Sequence, residues 1–272
     1  MRLINRKPGP VLTAFLAALP FVAVLAAYSI GSEIRLAENP SDKLLPALST
    51  IRETAERLFT EPDRRSGRIL LWHDTAISLR RLGLGVGLSA FFGLGFGLLI
   101  GLLPHLRAAL AGFIAVVSMV PPLAMLPILF IVFGLGELSK VMLIIIGITP
   151  FLIRDLSQRV LEIPREQIVK AETLGASSLV IALRVALPQV LPRLIQSVRL
   201  SLGPAWLFLI AAEAIAADVG LGYRIFLMRR YLAMDVILPY VVWITLIAFI
   251  LDWLLATLAR RAFPFAYVTE RP

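Results

Sequence analysis

Cysteine is absent from the 272 residues, and histidine occurs only at His73 and His105. A disulfide framework is therefore impossible, and the Cys/His spacings that hold structural zinc are missing with it. The lysines are Lys7, Lys43, Lys140 and Lys170, and none follows a glycine. The chain thus has no G-x-x-x-x-G-K-[ST] phosphate cradle of its own. Neither an H-E-x-x-H pattern nor a G-x-S-x-G nucleophile elbow is present. Catalytic residues and metal ligands are therefore expected to be none, which argues against an intramembrane hydrolase. Charge is scarce as well: 17% of residues are charged and 58% hydrophobic, and the mean hydropathy is +0.85. A water-facing surface does not tolerate that balance, so the chain reads as a membrane protein. The net charge of +9 does not point to nucleic acid, because the basic residues gather between apolar runs, where they anchor membrane ends.

A bilayer core needs roughly 20 apolar residues of helix. Val11 to Gly31 and Leu82 to Leu103 meet that length without a charge. The first follows Arg2, Arg6 and Lys7 but is long for a signal-peptide core, so it reads as a retained helix. Ala108 to Gly136 is uncharged for 29 residues and contains Pro121, Pro122 and Pro127, which predicts a broken or tilted helix. Val141 to Ile153 is short, and spans only if the Leu138 to Lys140 end is included and Lys140 snorkels outward. Leu200 to Ala217 and Val236 to Ala259 complete six, each with one carboxylate inside, Glu213 and Asp252. The expected fold is all-α, a polytopic membrane protein with six transmembrane helices. The lysines and arginines divide almost evenly between the two sides, so charge bias does not set the orientation.

Glycines at 83 and 87, and at 93, 97 and 101, repeat every four residues, the pattern that lets helix backbones approach closely in lipid. Arg52, Glu53, Glu56 and Arg57 predict a short amphipathic helix in the external segment 32–81. From Arg154 to Arg199 the chain leaves the apolar pattern. Ile168, Ala171 and Leu174 repeat at helical spacing, Gly175 interrupts, and Leu179, Leu183 and Ala186 resume. That predicts a helix-turn-helix hairpin at the membrane surface, its turn relying on a left-handed Gly175. Pro188 and Pro192 are expected to set a stiff re-entry into the fifth span.

Gly175, then nine residues, then Val185-Ala186-Leu187-Pro188 resembles the "EAA…G…I.LP" signature of permease subunits of binding-protein-dependent ABC transporters. Val169 and Lys170 stand where that family carries Glu and Ala, and Ala171 is retained; Glu172 offers a carboxylate close by. "AAEAIAADVGLGYRIF" at 211–226 resembles the "AE.I.A..GLGY" block of the nitrate/sulfonate/taurine branch, and "ENPSDKLLPALSTI" at 38–51 is similar to the family's start of the periplasmic segment. The resemblance implies a type I importer permease in a bacterial inner membrane with both termini cytoplasmic. It implies as partners a second permease copy, a cytoplasmic ABC ATPase and a periplasmic solute-binding protein, with ATP and Mg bound by the ATPase and no cofactor on this chain. The implied domains are 1–81, the first helix and periplasmic segment; 82–258, the permease core with a cytoplasmic coupling loop at about 155–199; and 259–272, a cytoplasmic tail.

The implied ATPase-coupling residues are Lys170, Ala171, Glu172, Thr173, Leu174, Gly175, Ala176 and Ser177, with Leu187 and Pro188. Candidates for the translocation path are Ser118, Met119, Trp206 and Glu213. An ionised carboxylate near a helix centre costs at least ~2.5 kcal/mol, so Glu213 needs a partner such as Ser201 or a backbone group, or a place on the path. Asp252 is expected to pair with Arg260. Arg224, Arg229 and Arg230 between Asp218 and Asp235 offer a docking surface for the binding protein. The implied cargo is a small polar solute, nitrate-, sulfonate- or taurine-like. A urea-like or cationic nitrogen compound, or a secondary carrier or channel, remains the alternative.

Overall fold

The computed structural model describes residues 8–266 apart from 41 and 65, and every regular element among them is helical. The basic cluster Arg2, Arg6 and Lys7 and residues 267–272 of the tail lie outside the described residues. The chain divides into two compact units, Met1–Ile69 with Met228–Val241, and Leu70–Leu227 with Val242–Pro272.

In the first unit, α1 (Pro10–Glu38) starts on a proline at its first position, where the missing N–H is not needed. Its apolar side chains, Phe15, Phe21 and Val24 among them, are exposed, as a lipid-facing helix requires. The Tyr28 and Ser32 hydroxyls donate to the Pro46 and Leu45 carbonyls at 2.8 and 2.9 Å, tying the following turn to the helix. The expected amphipathic helix is α2 (Leu48–Thr60), with an Arg52–Glu56 pair at 2.9 Å.

In the second unit, α3 (Leu70–Leu102) begins twelve residues before the apolar run does. The early start brings Asp74, Ser78 and Arg81 into the helix, all buried. α6 (Glu137–Leu161) includes the polar Leu138–Lys140 end, as the short apolar run required. Lys140 does not snorkel outward, however: it is 2% exposed, and its Nζ donates to the Leu135 and Gly136 carbonyls at 3.0 and 2.8 Å. Those carbonyls replace the interfacial water the ammonium group was expected to reach.

α3 and α6 run parallel in tight contact. A Cβ added at Gly93 or Gly97 would lie 2.7 Å from the Cβ of Leu152 or Leu156, and one at Gly101 would lie 2.4 Å from that of Val160. Gly85 meets Ile144 in the same way, and Ser89 completes the stripe with its hydroxyl turned back onto the Gly85 carbonyl. Gly83 and Gly87 are not part of it, having nothing within 4 Å. The four-residue repeat was read correctly at 93, 97 and 101, but one helical face too far round at 83 and 87.

Parallel α3 and α6 require the chain to return across the membrane between them. The return is made by α4 (Pro104–Val117) and α5 (Leu126–Phe133), joined through a 3-10 turn, Pro122–Met125, and bent by 83°. Pro121 and Pro122 account for the break, since each removes a donor and constrains the residue before it. This pair is therefore one broken span, and with the five long apolar helices it makes six. After the hairpin, α9 (Leu187–Ala216) runs antiparallel to α6, followed by α10 (Leu221–Arg229) and α11 (Met234–Ala262).

Candidate functional site

Beyond α6 the chain folds into a protruding hairpin, α7 (Arg165–Thr173) and α8 (Ser178–Ile181). Its foot is apolar: Ile168 packs on a cluster of Leu156, Val160, Ile163, Ala186 and Val190. The Gln189 amide donates to Gln167 Oε1 at 2.9 Å and ties α7 to α9. The turn closes on backbone groups, with Ala176 N–H donating to the Ala171 carbonyl at 3.0 Å and Gly175 N–H to that of Glu172 at 2.9 Å. That double bond is a Schellman closure, which needs a left-handed residue after the helix. Gly175 supplies it with φ of +78°. The Ser177 hydroxyl then caps α8 by accepting from Val180 N–H.

What the hairpin shows to solvent is partly greasy. α7 buries no residue fully, Lys170, Glu172 and Thr173 are exposed, and Ala171 and Ala176 are half-buried. Leu174 at the tip is 87% exposed and Leu179 68%. The single apolar face expected from spacing is therefore divided, with Ile168 and Ala186 anchoring the foot and Leu174 and Leu179 presented outward.

Pro188 and Pro192 do not break the chain at its return. Ala182–Ala186 forms one π-helical turn, in which Leu187 N–H reaches the Ala182 carbonyl, and the helix continues through half-buried Leu187 and exposed Pro188. Widening the turn gives the proline ring the room it would lack against an ordinary α-helical carbonyl.

At the opposite end of the second unit lies a buried polar network. Glu213 is 0% exposed and Arg81 2%, and they pair at 2.8 Å. Arg81 also bonds Glu137 and donates to the Val219 carbonyl at 2.9 Å. The Ser78 hydroxyl donates to Glu213 at 2.7 Å and accepts Leu221 N–H at 3.0 Å. Gly222 N–H reaches the second Glu213 oxygen at 2.8 Å, and Asp74 accepts from Gly220 N–H at 3.0 Å and from Arg224 at 2.9 Å. The first N–H groups of α10, which no helix can satisfy internally, are thus held by two carboxylates and a hydroxyl.

The same network explains the glycines of the "GLGY" block. Gly220 has φ of +124°, and a Cβ there would lie 2.6 Å from the Glu213 carboxylate. At Gly222 it would lie 2.6 Å from the Ile210 carbonyl.

The path candidates are not gathered in one place. Trp206 is buried two turns along α9 from Glu213, while Ser118 and exposed Met119 sit at the break after α4. Phe208 is a packing residue whose ring fills the space over Gly147. The expected Ser201 partner of Glu213 is wrong, since Ser201 bonds the Ser197 carbonyl one turn back; the backbone partner is real. Asp252 is likewise not anchored by Arg260. It accepts a two-pronged bond from Arg199, both prongs 2.8 Å, which a guanidinium on a neighbouring helix makes better than one on its own helix.

Sequence reasoning missed Asp74, Ser78 and Arg81. Their spacing of four and three places them on one helix face, and that periodicity was the available signal.

Residues 93–264 match the model of a family described as binding-protein-dependent transport system inner membrane component. The chain is 38% identical over 195 residues to the Taurine transport system permease protein TauC of Escherichia coli (strain K12), covering 72% of this chain and 71% of that protein. It is 30% identical over 196 residues to the Nitrate import permease protein NrtB of Leptolyngbya laminosa, covering 72% and 70%. In fold it resembles a chain of the inward-facing MetNI methionine ABC transporter, with a TM-score of 0.58 at 22% identity over 71% of this chain and 95% of that one.

Proposed function

Because this chain belongs to the family of binding-protein-dependent transport system inner membrane components, in its nitrate/sulfonate/taurine branch, we propose that it forms the translocation path for a small solute that carries a compact oxyanion group, such as nitrate or the sulfonate of zwitterionic taurine, delivered by a periplasmic binding protein. Members of this family are multi-pass, non-enzymatic transport subunits of ABC importers, and ATP hydrolysis belongs to a partner protein. The chain works as a homodimer with both termini cytoplasmic. Its hairpin seats Lys170 to Ser177 in a groove of the ATPase.

The observation that carries this reading is the hairpin tip. Leu174, 87% exposed, stands on a turn that only a left-handed Gly175 closes, above an apolar foot that fixes it to α6 and α9. An exposed apolar knob on a rigid base fits a protein groove, and it transmits motion because its foot packs on the helices that must move. Recognition of the cargo through an oxyanion group is supported by the pairing of Glu213 with Arg81, which removes the carboxylate that a purely cationic cargo would have needed.

The test is reconstitution of the chain with its ATPase and binding protein in proteoliposomes, followed by uptake of labelled taurine and nitrate. ATP-dependent accumulation of either supports the reading. Accumulation that follows an ion gradient and ignores ATP would replace it with a secondary carrier.

A variant tests the coupling assignment. Gly175→Val puts a β-branched residue where φ is +78°, a conformation costing ~1–3 kcal/mol outside glycine. That exceeds what a hairpin with so little buried surface can absorb. The variant is expected to insert and keep its core, to lose co-purification with the ATPase, and to lose most ATP-driven uptake. Normal uptake by this variant would show that the turn is not the coupling element.

A further inference from the structure

A small recess at the hairpin end of the second unit carries two arginines that have no carboxylate partner among the described residues. Arg154, on the last turns of α6, donates from Nη1 to the Ser118 hydroxyl at 2.8 Å, at the point where the fourth-to-fifth helix span breaks. Arg107, near the start of α4, gives its Nε and one terminal nitrogen to the Ile100 and Gly101 carbonyls, closing the last turn of α3. Both side chains line a cavity of about 190 Å³ with Ser157, Gln158, Ile114 and Ile153. Among the described residues no carboxylate lies within ion-pair distance of either arginine.

The neighbouring cavity shows that this is not the rule at this end. It is larger, about 650 Å³, and its arginines are balanced, Arg193 by Asp155 and Arg159 by Glu162. At the other end Arg81 holds two carboxylates. Two like charges facing one small recess repel each other unless an anion lies between them, and low-dielectric walls focus their field into it. The volume is below the roughly 300–1,000 Å³ of drug-sized ligand sites, so the recess suits a compact oxyanion rather than a sugar or a peptide. A guanidinium presents parallel N–H groups to two oxygens of a planar or tetrahedral oxyanion, which an ammonium group does not.

We propose that Arg154, supported by Ser118 and Arg107, binds the transported oxyanion at the hairpin end of the path, as the last cationic station before release. This deepens the importer reading above and rests on it for the identity of the anion as cargo. The same chemistry would serve a lipid phosphate, so the experiment separates the two sources.

The chain's lack of cysteine makes a single-site probe clean. Ser157→Cys is introduced into the full chain, co-purified with its ATPase and placed in phosphatidylcholine nanodiscs. Its modification by the anionic sulfonatoethyl methanethiosulfonate and by the cationic trimethylammonioethyl reagent is timed, each rate divided by that of a free thiol. The anionic reagent is expected to be favoured at least about tenfold, the lower range for field-focused clefts. Added taurine should slow it. Arg154→Gln should lower the ratio to the smaller preference that Arg107 alone supplies, and Arg154→Lys should retain more of it, showing that charge and not fold is being read.

Replacing part of the phosphatidylcholine with phosphatidylglycerol should change nothing. If phosphatidylglycerol abolishes the preference, the recess is a headgroup site and the proposal fails. A ratio near one in the parent protein, or one that Arg154→Gln leaves intact, also overturns it. The labelling needs neither ATP nor uptake, so a failure of the importer reading in proteoliposomes would show itself separately from a failure here.

Discussion

Arg81→Met is expected to lower the stability of the assembled protein by ~3–5 kcal/mol, the usual cost of removing one member of a buried ion pair. The arginine is 2% exposed. Its loss leaves Glu213, itself 0% exposed, with the Ser78 hydroxyl and Gly222 N–H as its remaining hydrogen-bond donors among the described residues, and removes the Arg81 donor from the Val219 carbonyl. The damage should therefore spread to the 217–222 turn and the start of α10. The informative comparison is the double variant Arg81→Met/Glu213→Gln, in which the amide keeps an acceptor for the Ser78 hydroxyl or Gly222 N–H but carries no charge. Removing both charges should recover at least half of the loss, because the penalty lies in the stranded carboxylate more than in the missing attraction. Thermal unfolding of the two variants and the parent in detergent, read by the size-exclusion peak of folded protein, measures this. Equal losses in the single and double variants would mean that Arg81 acts by packing alone.

Gly97→Val carries the second large effect. Its Cβ would meet the Leu156 Cβ at 2.7 Å, and the Ser157 backbone nitrogen lies only 3.4 Å away. Neither α3 nor α6 can retreat locally, because Gly93 and Gly101 pin them on either side. Overpacking usually costs ~1–3 kcal/mol, and a branched residue against a rigid backbone belongs at the top of that range. The variant should give little folded protein. Gly83→Ala and Gly87→Ala should be neutral or mildly stabilising, since nothing lies within 4 Å and alanine favours helix by about 1 kcal/mol over glycine. Folded yield across the three variants tests the assignment of the helix face directly. Comparable loss at 83 and 97 would contradict it.

These two predictions show which features the sequence made legible. The spans were readable because a bilayer imposes length and apolarity, and both are one-dimensional properties. The hairpin was readable because Gly175 interrupts a helical repeat, and the structure turns there with φ of +78°. Pairing across the fold was not readable. Glu213 and Arg81 are 132 positions apart, and Asp252 and Arg199 are 53 apart. No local pattern distinguishes such partners from flanking charges or from a residue two turns away. Pro188 and Pro192 were expected to stiffen the re-entry, but no local pattern announces the π-helical turn that precedes the first or the helix that carries the second in its interior. The path remained scattered in the sequence as in the structure, although Ser118 does come to lie against Arg154.

If an ATPase holds the tip of the hairpin on the cytoplasmic side, a cross-linker placed at that tip must reach it. The most direct measurement places the only cysteine at Leu174, carries a benzophenone maleimide on it, and irradiates cells that express the complete transporter. A covalent adduct between this chain and the ATPase is expected, with no labelling of Leu174→Cys in intact cells by a membrane-impermeant thiol reagent. An unlabelled ATPase together with ready modification from outside the cell would contradict it.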